Sequence, residues 1–175
     1  MEINSILEIA KKIESNIQCI EHHNQYTILL NNKSNISKLL QIMKDECSFD
    51  MLIDITAIDW NRKENRFEIV YFLYSNKNKN RIRIKTIIDE KDCKIYTVEK
   101  IYPSANWYER EVWDMYGITF EEHSDMRRFY MPEDFFDKET KQTYHPLRKD
   151  FPLTGIPDSL PLPSYPEMFG NEVKF

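Results

Sequence analysis

Glycine is nearly missing. Only Gly117, Gly155 and Gly170 occur in 175 residues, which excludes phosphate-cradling loops and dinucleotide fingerprints, since those need several glycines close together. Cysteine is scarce too: Cys19, Cys47 and Cys93 stand far apart, with no C-x-x-C pair. An odd, scattered set suits a reducing compartment better than a disulfide framework, and three half-buried small residues is the plain reading. No apolar run approaches the roughly 20 residues that cross a bilayer. Positive charge is not in excess either. Lys and Arg number 24 against 29 Asp and Glu, a net charge of −5, so no broad attraction to nucleic acid or anionic lipid is expected. The opening "MEINSILEIAKKIES" carries acids and no arginine, unlike a secretory signal or a mitochondrial presequence. A soluble chain that meets a membrane only through partners is the expectation.

What is present suits one domain, or one domain with an appendage. Hydrophobic residues make up 41% and aromatics 13%, and a chain of this size buries about 70% of its unfolded surface, enough for a real core. Ile6, Ile9, Ala10 and Ile13 recur at helical spacing and predict a helix over 4–15, capped by Asn4 or Ser5. "NIQCIEHHNQYTILL" predicts two strands joined near His23 and Asn24. Ser34 caps a second predicted helix, with Ile36, Leu39, Leu40 and Met43 as one stripe ending near Glu46.

The middle is strand-rich: "MLIDITAIDW", "RFEIVYFLYS" and the alternating "RIRIKTIID". The "NKNKN" turn predicts an antiparallel hairpin between the last two, with the apolar "IVYFLY" central and the alternating strand wet on one face. A short helical turn over 97–101 leads to Pro103, and Ser104 and Gly117 bracket a helix over 105–116. An irregular connection follows. Six of the eight prolines lie between 146 and 166, so that tail must be extended. The predicted class is α+β, a mostly antiparallel sheet with flanking helices, then a helix-rich segment and an extended proline-rich tail. Its parts are a core domain over 1–103, a helix and connection over 104–145, and a tail over 146–175 that lays its apolar side chains along a partner.

The stretch "WYEREVWDMYGI" carries the functional question. On a helix, Ala105, Tyr108, Val112 and Met115 form a core-facing stripe, while Trp107, Arg110, Glu111 and Asp114 share another face and Asn106, Glu109 and Trp113 a third. Arg110 and Asp114, one turn apart, are expected to pair. One reading makes Glu109, Glu111 and Asp114 a general acid and base of a stand-alone hydrolase. Against it, Glu109 and Glu111 point about 200° apart, and Arg110, Arg127, Arg128, Arg148 and Lys149 are at hand to neutralise the acids. The four histidines show no H-E-x-x-H and no Cys/His ligand spacing. The "RRFY" and "HPLRKDF" segments mix base and ring as a single-strand binder does, yet they are short in an acidic chain. Large side chains all round suggest instead a helix wedged against another chain.

Residues 105–135, "ANWYEREVWDMYGITFEEHSDMRRFYMPEDF", and 145–155, "HPLRKDFPLTG", resemble the 30-kDa (or C) subunit family of respiratory complex I, the proton-translocating NADH:quinone oxidoreductase. The likeness rests on Trp107, Glu109, Arg110, Glu111, Asp114, Gly117, His123, Asp125, Arg127 and Arg128, and on His145, Pro146, Leu147, Arg148, Lys149 and Asp150. Ser124 stands where the family usually has proline, and the residues after Leu153 depart from its pattern. The resemblance implies an interface and structural motif, with no catalytic, cofactor-binding or metal-binding residue in this chain. It implies a peripheral-arm subunit packed against the large quinone-site subunit and the small cluster-bearing subunit, with flavin and iron–sulfur clusters held by partners. The mitochondrial inner membrane, matrix side, or the cytoplasmic face of a bacterial plasma membrane is the expected location. The Ile-, Lys- and Asn-rich composition leans toward an organelle. An equivalent subunit of a membrane-bound hydrogenase or photosynthetic-type complex remains the alternative.

Overall fold

β-Branched and aromatic residues alternate along three nine-residue stretches, and these become the strands on which everything else rests. The computed structural model describes residues 3–23 and 25–152. Of the extended tail expected over 146–175, residues 153–175 lie outside them. Residues 146–151 form turns hydrogen-bonded to Asp59, Arg66 and Glu90 rather than an extended chain, because the buried Asp59–Arg66 pair recruits them. In chain order the elements are α1 (Ile3–Lys11), β1 (Gln18–His22), β2 (Gln25–Leu30), α2 (Ile36–Asp45), β3 (Met51–Asp59), β4 (Phe67–Ser75), β5 (Asn80–Ile88), β6 (Lys94–Tyr96), α3 (Ala105–Tyr116) and β7 (Thr119–Glu121). Strands β1 to β5 form one sheet in the order β1-β2-β5-β4-β3, and β6 and β7 a second, parallel pair. Within the large sheet only β2 and β5 run parallel. The predicted α+β class with a mostly antiparallel sheet is therefore the observed one.

The three described α-helices pack on one face of that sheet. Ile6 and Ala10 of α1, Ile36, Leu39, Leu40 and Met43 of α2, and Ala105 and Val112 of α3 join Ile28, Ile55, Ile69, Tyr71 and Ile84 in a single core. Burying each large aliphatic chain contributes roughly 1.5–3 kcal/mol, so this shared core dominates the energetics. A bulge in β3 separates Leu52, opposite Leu73, from Asp54, opposite Phe72. The extra residue lets both Leu52 and Ile55 face inward and carries Asp59, at the strand's end, onto the core side.

Some local expectations give way. Helix α1 starts earlier and ends sooner than predicted, so Asn4 and Ser5 lie inside it rather than capping it. Asn32, not Ser34, supplies the side-chain cap before α2: its oxygen accepts the Ser34 amide at the head of a 3-10 turn over Lys33–Asn35. The centre of the sheet belongs to the alternating β5, with the more apolar β4 beside it. Strands β6 and β7 were invisible in the sequence, because three residues with one buried side chain each, Ile95 and Phe120, carry no period. The cysteines are free thiols, Cys47 fully buried and the other two half-buried.

Tyr71, on the inner face of β4, is fully buried, and its hydroxyl has no hydrogen-bond partner among the described residues. A buried hydroxyl without a partner is a net cost. Tyr71→Phe should therefore raise the unfolding free energy by about 1 kcal/mol. Urea denaturation of the full chain checks this, and a destabilised variant would mean that the hydroxyl is hydrogen-bonded.

Candidate functional site

Helix α3 occupies the residues predicted for it and ends as predicted, but it begins differently. Ser104 sits in helical conformation and makes no side-chain cap; the Tyr102 and Pro103 carbonyls instead take the Ala105 and Asn106 amides. At the other end Gly117 has φ +78°, and its amide reaches the Trp113 carbonyl at 2.8 Å. A β-carbon there would lie 2.6 Å from His145 Nε2, so glycine is required both by the left-handed turn and by the ring pressed against it. His145 Nδ1 donates to the Asp114 carbonyl at 3.0 Å, and the Leu147 amide to that of Met115 at 3.1 Å. The second motif block thus satisfies carbonyls that a helix end leaves without partners. Burial lowers the His145 pKa, outweighing the bond to that carbonyl.

Asp114 does not pair with Arg110. Its carboxylate is wholly buried; one oxygen accepts Arg128 at 2.6 Å, and the other accepts the consecutive amides of Phe129, Tyr130 and Met131 at 3.2, 2.8 and 2.9 Å. Arg110 has no acid. It donates to the carbonyls of Arg127 and Arg128, both at 3.1 Å, and stacks on Trp107 and Phe129. Arg128 continues to the carbonyls of Phe135 and Tyr144. Two side chains one helical turn apart therefore fold the loop after β7, one gripping its amides and the other its carbonyls.

Glu109 is equally buried but faces the opposite way. It accepts the Thr97 hydroxyl at 2.5 Å and the Val98 amide at 2.8 Å, tying α3 to the turn before it. Burial drives its pKa up to about 7, with the Glu99 charge adding and the two hydrogen bonds opposing. His123 lies 3.9 Å from both Glu99 and Glu109. Its Nδ1 accepts the Asp125 amide and its Nε2 donates to the Asn106 carbonyl. Ser124 gives both its amide and its hydroxyl to Glu99, at 3.1 and 2.6 Å, and the first of these bonds is one that a proline could not make.

A second charged centre was not legible in the sequence. Arg66, 5% exposed, grips Asp59 through two nitrogens at 3.0 and 2.8 Å and reaches Glu90 at 2.7 Å and Asp150 at 2.9 Å. The Lys149 amide bonds Asp59 at 2.8 Å, and Arg148 bonds Glu90. Arg148 and Lys149 thus anchor the second motif block to Glu90 and Asp59 of this chain, and not to a partner's acids or those of α3, the two anchors expected. Burial works against the Asp59 carboxylate, but the bonds from Arg66, Lys149 and Asn61 outweigh it and its pKa falls to about 2. The one sequence signal was polar: Asp59 and Arg66 flank two apolar strands at the ends that the hairpin brings together.

Other motif residues stay at the surface. Asp125 and Arg127 form an exposed pair at 2.6 Å. Glu111, its pKa raised by burial and by Asp54, stands near Tyr130. Trp107, Phe129 and Tyr130 stack edge-on in sequence at 4.8 and 4.4 Å, and are 53%, 41% and 53% exposed. Pro146 and the exposed Leu147 lead into the Asp59 centre. Glu109 and Asp114, acids of the hydrolase reading, are both 0% exposed.

Residues 29–157 match the family described as the respiratory-chain NADH dehydrogenase 30-kDa subunit. The C subunit of the NADH-quinone oxidoreductase of Geotalea uraniireducens is 38% identical over 157 residues, covering 90% of this chain and 91% of that one. Its counterpart from Trichlorobacter lovleyi is 40% identical over 152 residues, covering 86% and 90%. Among solved structures, the trypsin-resistant fragment (1–134) of Nqo5 superposes with TM-score 0.63 and 28% identity, over 71% of this chain and 99% of that one. A chain of the membrane-bound sulfane sulfur reductase, an archaeal respiratory membrane complex, superposes with TM-score 0.69 and 27% identity over 87% of each.

The two buried carboxylates, Glu109 and Asp59, should reveal themselves at opposite ends of the pH range. Glu109 binds its proton more tightly folded than unfolded, so its contribution is intact below about pH 4.5 and lost as pH rises through about 7. A shift of that size is worth roughly 3 kcal/mol. Asp59 is the reverse: its contribution, about 2 kcal/mol, is present above about pH 4 and lost as pH falls towards 2. In Glu109→Gln the decline in stability between pH 5 and 8 should flatten by about 3 kcal/mol. Denaturation midpoints of both proteins across that range test it. Parallel curves would mean that Glu109 is ionised throughout.

Proposed function

Because the chain belongs to the 30-kDa subunit family of respiratory-chain NADH dehydrogenases, we propose that it is a structural and assembly subunit of the peripheral arm of proton-translocating NADH:quinone oxidoreductase. In this reading it supports the quinone-reducing module while electrons pass from NADH to quinone through flavin and iron–sulfur clusters in other subunits. It holds no cofactor and performs no chemical step itself. Its partners are the large quinone-site subunit and the small cluster-bearing subunit, on the matrix side of the mitochondrial inner membrane or the cytoplasmic face of a bacterial membrane. No described helix is long and apolar enough to cross a membrane, and in this reading attachment runs through those partners.

One contrast carries the reading. The motif's central charges are committed inside the chain: Glu109 and Asp114 are 0% exposed and Arg110 is 8% exposed. Beside them Trp107, Phe129 and Tyr130 stand open to solvent. Neighbouring exposed aromatics over a rigidly hydrogen-bonded base are the composition of an interface hot spot, not of a reaction centre. The likeness to a chain of the archaeal sulfane sulfur reductase favours a second reading, an equivalent place in a related membrane complex. Co-purification of an NADH-oxidising flavoprotein with this chain separates the two.

Trp107→Ala with Phe129→Ala should leave the isolated chain within about 1–2 kcal/mol of the parent, the value of the exposed ring contacts and the Arg110 stacking. The same pair should lower the amount of assembled membrane complex by about tenfold or more, with NADH:quinone turnover per assembled complex unchanged. Native gels and activity per complex read this out. Full assembly with slow turnover would move the motif from scaffold to chemistry, and stoichiometric iron or flavin in the purified chain would contradict the cofactor-free reading.

A further inference from the structure

The large sheet has a second face, and no helix among the described residues covers it. Strand register places Ile20 of β1, Arg83 and Lys85 of β5, Val70 and Phe72 of β4, and Thr56 of β3 on this side. None of these residues belongs to the core cluster that the three helices share. Ile20 and Ile87 are 51% and 46% exposed, while Phe72 and Thr56 are half-buried and Val70, beneath its neighbours on the same face, is 2% exposed. A broad, flat and partly apolar face of this kind is what a soluble domain normally hides.

Its charges are unbalanced. Arg81, Arg83 and Lys85 make a row along the central strand. Of the three, Lys85 alone forms an ion pair among the described residues, with Glu68 at 3.3 Å. Arg81 lies over the Tyr74 ring, and Arg83 has no ion pair among the described residues; its Nε is buried without a hydrogen-bond partner. The chain as a whole carries −5, whereas this face sets the three cations against two acids, Glu68 and Asp54, of which only Glu68 is paired with one of them. Arginine among aromatic and β-branched neighbours is the composition of a protein interface, and guanidinium groups lacking acids call for carboxylates. A second copy of this chain would oppose its own arginine row to the same row, and so fits poorly.

We propose that this open face is a docking surface for an acidic, partly apolar face of a neighbouring protein subunit, with Arg81 and Arg83 receiving its carboxylates. The proposal rests on the reading of the chain as one subunit of a larger membrane complex. It adds an interface on the side of the sheet opposite the helix face to which α3 belongs.

The test replaces the resident subunit with this chain, tagged, and extracts the complex in mild detergent. R81E/R83E should cut the chain's recovery in the complex by about tenfold or more, while the isolated variant melts like the parent. A photo-crosslinking residue at Ile87 should capture another subunit, at a segment rich in Asp and Glu. R81E/R83E recovered like the parent, or crosslinks from Ile87 only to lipid or to a second copy, would overturn the proposal. Should R81E/R83E fold poorly, R81Q/R83Q in the crosslinking assay decides instead: capture lost supports the surface, capture unchanged refutes it. A parent chain that enters no complex overturns the subunit reading and this one with it. A parent that enters alongside an equally competent R81E/R83E overturns this one alone.

Discussion

The buried carboxylate of Asp114 is the constraint from which the motif's structure follows. A carboxylate without solvent is costly unless its oxygens are saturated, and here one oxygen takes three consecutive amides and the other an arginine. Those partners come from the loop after β7, so the loop must wrap the helix for the charge to be tolerated at all. Arg110, one turn earlier, holds carbonyls of the same loop, and the exposed rings of Trp107 and Phe129 close over its guanidinium. The aromatic patch is thus mounted on hydrogen bonds, not on apolar packing. Its position is specified more sharply than a surface cluster's would be.

The second charged centre repeats this logic on the sheet. The β3 bulge turns Asp59 inward, Arg66 neutralises it, and the unfilled nitrogen of Arg66 recruits Asp150 and Glu90. Buried ion pairs of this kind add little net stability against a well-packed apolar core, but losing one partner is expensive. Their effect is to give the segment over 145–151 one seat: His145 against Gly117, Leu147 on the helix carbonyl, Lys149 on Asp59. Sheet, helix and motif loop consequently form one rigid unit, with apolar and cationic surfaces left on its outside.

Local periods made much of this fold readable. The stripe Ile36, Leu39, Leu40, Met43 and the alternation through Arg81 to Ile87 dictate a helix and a strand with little help from context, and Gly117 marks its helix end by backbone geometry alone. The site was readable as a location but not as a wiring diagram. Arg110 and Asp114 stand one turn apart, which suggests a pair; yet backbone groups of a distant loop compete for both and win, because a buried carboxylate gains more from three aligned amides and a second arginine. Asp59, Arg66 and Glu90 were missed because their association depends on a bulge and on strand pairing, neither of which has a local signature. Strands β6 and β7 are too short to show a period, and exist because α3 brings their ends together.

If the motif's charges are scaffold, removing the charge at Asp114 must disturb folding before it disturbs electron transfer. Asp114→Asn substitutes an amide donor where amides and a guanidinium converge, and breaking a buried pair in this way costs about 3–5 kcal/mol. The direct measurement pairs denaturation of the isolated variant with NADH:quinone turnover counted per assembled complex. The account predicts a chain destabilised by that amount, scarce complex, and normal turnover in each complex that forms. A variant as stable as the parent, fully assembled and slow in turnover, would contradict it.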